Sequence, residues 1–266
     1  MPFTVSHIAA VLPAHRALAR ARVFSAAVIG SMAPDFGMLL PGSLARWQTH
    51  SWPGLFTFCL PVGLVAYALT LLLIKPAVLE IAPDRAYARL CAADAAAPRR
   101  PLWRSWSYAA LAIFLGAVTH LVWDAFTHED ARGVRMFPVL GELGPELEGH
   151  SLHLYRWLQY GSSILGLLAV AVAVFAWLHH APRAHPARRL GDIERRCWSG
   201  LYLLLPALGA ALAAWHVRSP HLGSLATGSR LGIVAIAGMR ASAVSLVLVS
   251  LLLLLRLLPY RRAPRT

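Results

Sequence analysis

The sequence predicts an all-α polytopic transmembrane helix bundle of about five spans, preceded by a short re-entrant or interfacial N-terminal helix. Apolar residues make up 58% of the 266 residues and charged residues only 14%, with mean hydropathy +0.56. A soluble domain carries about 45–50% apolar and about 25% charged residues. The apolar residues also fall in runs near the roughly 20 residues a helix needs to cross the hydrocarbon core. This excludes disorder and argues against a soluble globular enzyme.

Four runs qualify directly: Gly54–Ile74, Ser105–Phe126, Tyr160–Leu178 and Ile233–Leu258. A fifth, Trp198–Trp215, is shorter but bounded by tryptophans, which favour membrane interfaces. Val23–Leu40 is apolar but interrupted by Ser31, Pro34, Asp35 and Gly37. It reads as a half-buried helix ending near Pro34, because proline opposes helix continuation. Two domains are expected, a membrane domain over 1–178 and a C-terminal pair of spans with a basic tail over 179–266. The Ala/Arg/Pro-rich stretches Ala82–Pro101 and His179–Arg196 read as solvated connectors.

The net charge is 25 − 12 = +13, and 24 of the 25 cations are arginine. Most lie between apolar runs without a basic patch of interleaved aromatics, so membrane lipids are the expected partner and nucleic acid is not. With five spans, nine cations fall on the N-terminal side and fifteen on the C-terminal side, counting Arg256 with the tail and leaving Arg240 inside the last span. The positive-inside rule then places the C-terminus in the cytoplasm of a bacterial inner-membrane protein. Cys59, Cys91 and Cys197 form no CxxC pair, so neither a disulfide framework nor a thiolate zinc site is indicated. The first twelve residues lack the basic start and apolar core of a secretory signal peptide.

Chemistry concentrates at the end of the second span. His120, Asp124 and His128 recur every four residues, so their side chains drift by only about 40° per step along one helix face. Imidazole and carboxylate on adjacent turns can share one metal ion. The alternative is a hydrogen-bonded His/Asp pair locking two helices. An intramembrane aspartate costs roughly 2.5–3.5 kcal/mol on insertion scales, which favours a partner for Asp124. His7, Asp35 and His50 fall on the same side of the membrane. Together the six residues offer four imidazoles and two carboxylates, a donor set suited to zinc first, or to manganese or iron. That is enough for one ion, or for two sharing a carboxylate.

The acidic stretch containing Glu142, Glu146, Glu148 and His150 lies in a loop on that side. Asp35 and Glu146 are the candidate catalytic carboxylates, and His150 a candidate late ligand. A solvated acidic loop is the alternative. Tyr155, Gln159 and Ser163 share one helix face and are candidates for binding a polar head group, or else for interhelical hydrogen bonds.

The segments MPFTVSH, VIGSMAPDF, THSWPGLFTFCLPVG, LGAVTHLVWDAFTH and LYRWLQYGSSILGL, in this order, resemble the DUF4184 family of bacterial membrane proteins over roughly residues 1–175. The layout of His, PD, THS and HxxxD is also similar to the membrane-bound metal-dependent hydrolases related to YdjM. More distantly, it is similar to the all-helical zinc-dependent phospholipase C enzymes. That second resemblance implies that Asp35, His50, His120 and Asp124 hold a catalytic metal. The chain has Pro34-Asp35-Phe36-Gly37 where a PDxD pattern would supply a second acid, so His7 or His128 would complete the set. The expected function is a metal-dependent hydrolase acting on a phosphoester or lipid-like substrate at the non-cytoplasmic rim. A non-catalytic membrane scaffold is the alternative, and a transporter ranks third because the ionisable residues gather at one end.

Overall fold

The computed structural model describes residues 4–40, 44–95, 102–147, 150–180, 188–218 and 227–262. It is almost entirely helical, and five helices are long and apolar enough to cross a membrane: Trp52–Ile81, Arg104–Thr127, Leu154–His180, Asp192–His216 and Gly232–Leu258, here the first to fifth spans. Each is longer than its apolar run, because polar and aromatic residues at the ends continue the helix into the interface. The expected short N-terminal helix is present as Phe24–Met32. It tightens at Pro34 into a 3-10 turn over Ala33–Leu39, since proline cannot donate to the α ladder.

Two compact units form. One contains Met1–Tyr67 and Ala97–His180, the other Ala68–Ala96 and Ala181–Thr266. Segment 68–96 thus groups with the C-terminal spans, and 97–180 with the N-terminal segment.

In the first unit, a 3-10 helix over Thr4–Ala14 leads through His15–Arg20 to helix Phe24–Met32. Arg22 makes the turn between them at φ 60°, a left-handed conformation uncommon outside glycine. Helix Phe24–Met32 lies directly on the second span. A Cβ on Gly30 would sit 2.2 Å from the Ile113 carbonyl oxygen, and one on Gly116 would sit 2.4 Å from that of Ala27. Two glycines facing two backbones allow this approach, the usual device for helix packing in lipid, where apolar side chains gain little by meeting each other. Ala33, Leu55, Phe58, Cys59 and Ala117 form the adjoining core. The first span contains a π-helical turn over Leu55–Cys59, from which the Cys59 thiol donates to the Thr49 carbonyl (3.3 Å).

In the second unit, Gly209 packs on Ala241 to join the fourth and fifth spans, and the hydroxyls of Tyr202 and Ser250 meet at 2.7 Å. The expectation of solvated connectors is corrected here. Asp84–Ala95 is a helix, as its alanine content favours, and Arg89 on it is buried. Arg189 pairs with Glu80, Arg188 with Asp84 at 2.9 Å, and Arg195 with Asp84 at 3.0 Å. Arg188 also covers the Tyr87 ring at 3.8 Å. These arginines act as clips because Glu80, near the end of the first long helix, and Asp84, at the start of the next, give them partners. The acidic stretch after the second span is also not a plain loop. Leu143–Leu147 (β1) and His150–His153 (β2) pair as an antiparallel hairpin, with Glu146 opposite Ser151.

The glycine contacts carry a stability prediction. Gly30→Ala and Gly116→Ala should each destabilise the protein by about 1–3 kcal/mol of overpacking or more, and so lower its unfolding midpoint in detergent. Gly161→Ala, where an added Cβ meets nothing within 4 Å, should leave it unchanged or raise it. Thermal unfolding followed by size-exclusion fluorescence separates the two classes.

Candidate metal centre

The membrane topology alone brings three segments to one rim. Residues 46–51 precede the first span, 120–128 close the second and 154–163 open the third. The N-terminal 3-10 helix and the Ala33–Leu39 turn pack against the same end, and deliver His7 and Asp35. Local sequence fixes His50. Ser51 caps the first span by accepting from the Gly54 N–H at 3.1 Å, Pro53 occupies the first turn, and Gly54 admits the Gln48 carbonyl where a Cβ would stand 2.4 Å away. His50 is thereby held just before the helix cap, with its Nε2 3.5 Å from Asp124 of the second span.

The donors meet. His50 Nε2 lies 3.3 Å from Asp35 Oδ1 and 3.5 Å from Asp124 Oδ2. His120 Nε2 lies 3.7 Å from Asp35 Oδ1 and 3.5 Å from Asp124 Oδ2. His7 stacks on His120 with ring centroids 3.7 Å apart, and its Nε2 is 3.7 Å from Asp124 Oδ1. Two triads, His7/Asp35/His120 and His50/His120/Asp124, each have all donor atoms within 4.8 Å of one another.

The spacing bears on both readings of this cluster. A clasp of imidazole–carboxylate hydrogen bonds would close to about 2.7–3.2 Å. Four ligands at about 2.0–2.2 Å from one tetrahedral ion are instead separated by about 3.3–3.6 Å. The four contacts among Asp35, His50, His120 and Asp124 run from 3.3 to 3.7 Å. Moreover, Nε2 of His7, His50 and His120 and Oδ1 of Asp124 are buried without a hydrogen-bond partner among the described residues. Each such group costs about 1–3 kcal/mol if left unsatisfied. A cation at their centre would satisfy them together.

The surrounding bonds orient these atoms inward. His120 Nδ1 is 2.7 Å from the Ser31 carbonyl, which can only accept, so Nδ1 carries a proton and Nε2 is the ring nitrogen turned to the cluster. His50 Nδ1 is 2.7 Å from Thr49 Oγ1. Thr4 Oγ1 donates to Asp35 Oδ2 at 2.7 Å, leaving Oδ1 turned to the histidines. Burial opposes ionisation of Asp35, but the neighbouring His50, His120 and Thr4 outweigh it and hold its carboxyl below the ordinary value. Burial, then the adjacent His120, push His7 down to about 4. Burial also takes His128 to about 4 against the pull of Asp124. Both imidazoles are therefore neutral at pH 7, the form in which histidine binds a metal.

The remaining sequence candidates are distributed differently. His128 falls one residue past the helix end, yet its Nδ1 is 3.6 Å from Asp124 Oδ1, and its Nε2 lies 3.1 Å from the Gln159 amide nitrogen. Gln159 thus reaches the cluster's edge through His128. Ser163 donates to the Gln159 carbonyl at 2.7 Å, and Tyr155 is buried with its ring stacked on His153. These two stabilise the third span locally. Glu146 is not brought to the cluster; it is exposed on β1, and Glu142 is exposed just before that strand. Glu148 lies outside the described residues, and His150 begins β2.

Sequence reasoning missed Arg46, whose Nη2 donates to Asp124 Oδ2 at 2.7 Å. It also missed Thr4 and the Ser31 carbonyl. Arg46 was legible only as one more loop cation, and nothing in its spacing marks it.

Three spaces adjoin the cluster. A cleft of about 660 Å³ runs past His50, Asp124 and His128, with Arg46, Arg132 and Arg135 also on its walls. A smaller one of about 200 Å³ reaches Asp35. On the other side, an apolar pocket of about 300 Å³ abuts His7, lined among others by Ala10, Trp123, Leu165 and Ala169.

The lowered values give a pH prediction. His7 and His128 each bind a proton more readily in the unfolded chain, where the ordinary value is about 6.5. Each therefore contributes a loss of stability as pH falls from about 6.5 towards about 4, and none above that window. In metal-free protein at pH 5.5, ring-nitrogen chemical shifts should show both imidazoles neutral, and His128→Asn should flatten part of the stability slope across this window. A charged His128 at that pH would contradict the burial argument.

Comparison with curated proteins and with solved structures finds no match. A family model described as a domain of unknown function (DUF4184) matches residues 1–253. The match runs well past the segment near residue 175 where the recognisable motifs stop, so it takes in the fourth span and most of the fifth. The chain belongs to the DUF4184 family.

Proposed function

We propose that this protein is a membrane-embedded, metal-dependent hydrolase, with zinc as the first choice of ion and a phosphoester or lipid-like molecule as substrate. The observation that carries the reading is the set of inward-facing donors on Asp35, His50, His120 and Asp124, at the spacing of a coordination shell and with buried nitrogens that no group among the described residues satisfies. Manganese or iron would suit the same oxygen and nitrogen donors.

The chemistry a bound divalent ion supplies at such a site is activation of water, whose pKa falls towards about 7, and polarisation of a phosphoryl or carbonyl oxygen. The chain's own residues do the rest. Thr4 and the Ser31 carbonyl fix the orientation of Asp35 and His120. Gln159 steadies His128 on the wall of the cleft. His7 and His128 face Asp124 Oδ1, on the opposite carboxylate oxygen from His50 and His120, and form an outer pair. A lipid-like substrate is supported by the position of the site at the end of the second span, and by the apolar pocket that abuts His7. The distribution of nine and fifteen cations supports a bacterial inner-membrane location with the C-terminus in the cytoplasm and the site on the opposite side.

Elemental mass spectrometry on protein purified in detergent and reconstituted with zinc tests the reading. Wild type should carry one or two equivalents. His120→Ala and Asp124→Asn should lose the metal while keeping their helical circular dichroism and monodispersity. Thr4→Val, which removes an outer bond to Asp35, should weaken zinc binding by about 10–100-fold. A wild type that binds no divalent ion after reconstitution would overturn the proposal. Metal binding justifies a screen of phosphoester hydrolysis.

A further inference from the structure

Arg46 is out of place in a purely structural account. Its side chain is half exposed, yet its Nη2 reaches into the cluster to Asp124 at 2.7 Å. It lines both the large cleft and the smaller space beside Asp35. A guanidinium offers five N–H donors in a rigid fork, and among the described residues only one of its nitrogens is bonded here. Charge counting makes the same point. A divalent ion would balance the ionised Asp35 and Asp124, and Arg46 would then face the cleft without a counter-ion of its own.

The far wall of the cleft adds to this. Arg132 and Arg135 lie three residues apart on the short helix Arg132–Met136, so they project from one face, and both are exposed to the same cleft. Two acids share that wall. Glu129 lies 3.9 Å from Arg156, and Asp130 occupies the left-handed turn at φ 57°. Trp47 and Trp52 are exposed and form an apolar lip to the cleft.

We infer that Arg46, seconded by Arg132 and Arg135, is an anion subsite that binds the phosphoryl group of the substrate beside the metal centre. The inference rests on the hydrolase reading for its purpose, but the arginine subsite has its own readout. Arg46 is a binding and specificity-determining residue: the N–H groups of its fork not used by Asp124 match phosphoryl oxygens, whereas a neutral ester would offer them no charged partner. The phosphoryl group has two possible sources, free phosphate compounds or a lipid headgroup, and the tryptophan lip favours a group that carries an apolar chain.

The test is titration calorimetry in detergent with inorganic phosphate and, separately, with dihexanoyl phosphatidic acid. It uses wild type, Arg46→Met, Arg46→Lys and the double variant Arg132→Ala/Arg135→Ala, each with and without zinc and with metal content measured in parallel. Zinc-loaded wild type should bind both probes, the phosphatidic acid more tightly. Arg46→Met should weaken both by about tenfold to a hundredfold at unchanged zinc content, Arg46→Lys should recover part, and the double variant should weaken both by a smaller factor. Equal binding of both probes by all variants at full zinc content overturns the subsite and leaves the metal reading standing. Absence of zinc from wild type, with phosphate binding still lost in the arginine variants, overturns the metal reading and leaves the subsite standing. If Arg46→Met sheds zinc, the double variant, which touches no candidate ligand, decides. Equal affinity for the two probes would assign the site to soluble phosphate compounds.

Discussion

The structure of the first unit depends on a backbone contact. Helix Phe24–Met32 and the second span touch at Gly30 and Gly116 with no side chain between them. That approach places the Ser31 carbonyl within 2.7 Å of His120 Nδ1. Everything at the rim follows from it. The imidazole is pinned from behind, its other nitrogen faces forward, and the turn that continues from Met32 carries Asp35 to the front of the same ring. A wider separation of the two helices would move Asp35 and His120 apart together with the bond that orients them. In a bilayer such closeness has to come from small residues, because lipid tails surround apolar side chains as well as a neighbouring helix does.

The cluster is polar material at an apolar depth, and the neighbouring groups show how that is tolerated. Asp124 sits in the last turns of the second span and is surrounded by His7, His50, His120, His128 and Arg46. Asp35 has His50, His120 and Thr4. Both carboxylates are thus enclosed by donors or cations, as intramembrane acids generally are. Yet the geometry stops short of direct pairing for all the imidazoles. This combination of close approach with few completed bonds is the arrangement that could hold a cation. The Glu80–Arg189 and Asp84–Arg188 contacts in the second unit, where partners meet at bonding distance, show the contrast within the same chain.

Much of this was legible in the sequence, for identifiable reasons. The spans were readable because a bilayer imposes a length and a composition on any helix that crosses it. His120 and Asp124 were readable because four residues bring side chains onto adjacent turns. His7, Asp35 and His50 had no such internal rule, and joined the set through their common side of the membrane and the family resemblance. Arg46 escaped because a loop arginine in a chain with many of them carries no positional signal; only the fold reveals that it bonds to Asp124. The helix Asp84–Ala95 and the hairpin after the second span escaped for a related reason. The structure of these segments is supported by partners elsewhere, Arg188 over Tyr87 in one case and strand pairing in the other.

The anchor behind His120 has an unusual genetic property. A bond from a side chain can be deleted by a single base change. Here the acceptor is a main-chain oxygen, which every amino acid possesses. No replacement at position 31 can remove it chemically. What can remove it is bulk, since Ser31 is fully buried and its amide lies 2.7 Å from where a Cβ on Gly116 would be. Tolerance at this position is therefore governed by volume and not by polarity. Alanine and serine should be interchangeable there among natural variants, while threonine or valine would be purged, although threonine preserves the hydroxyl.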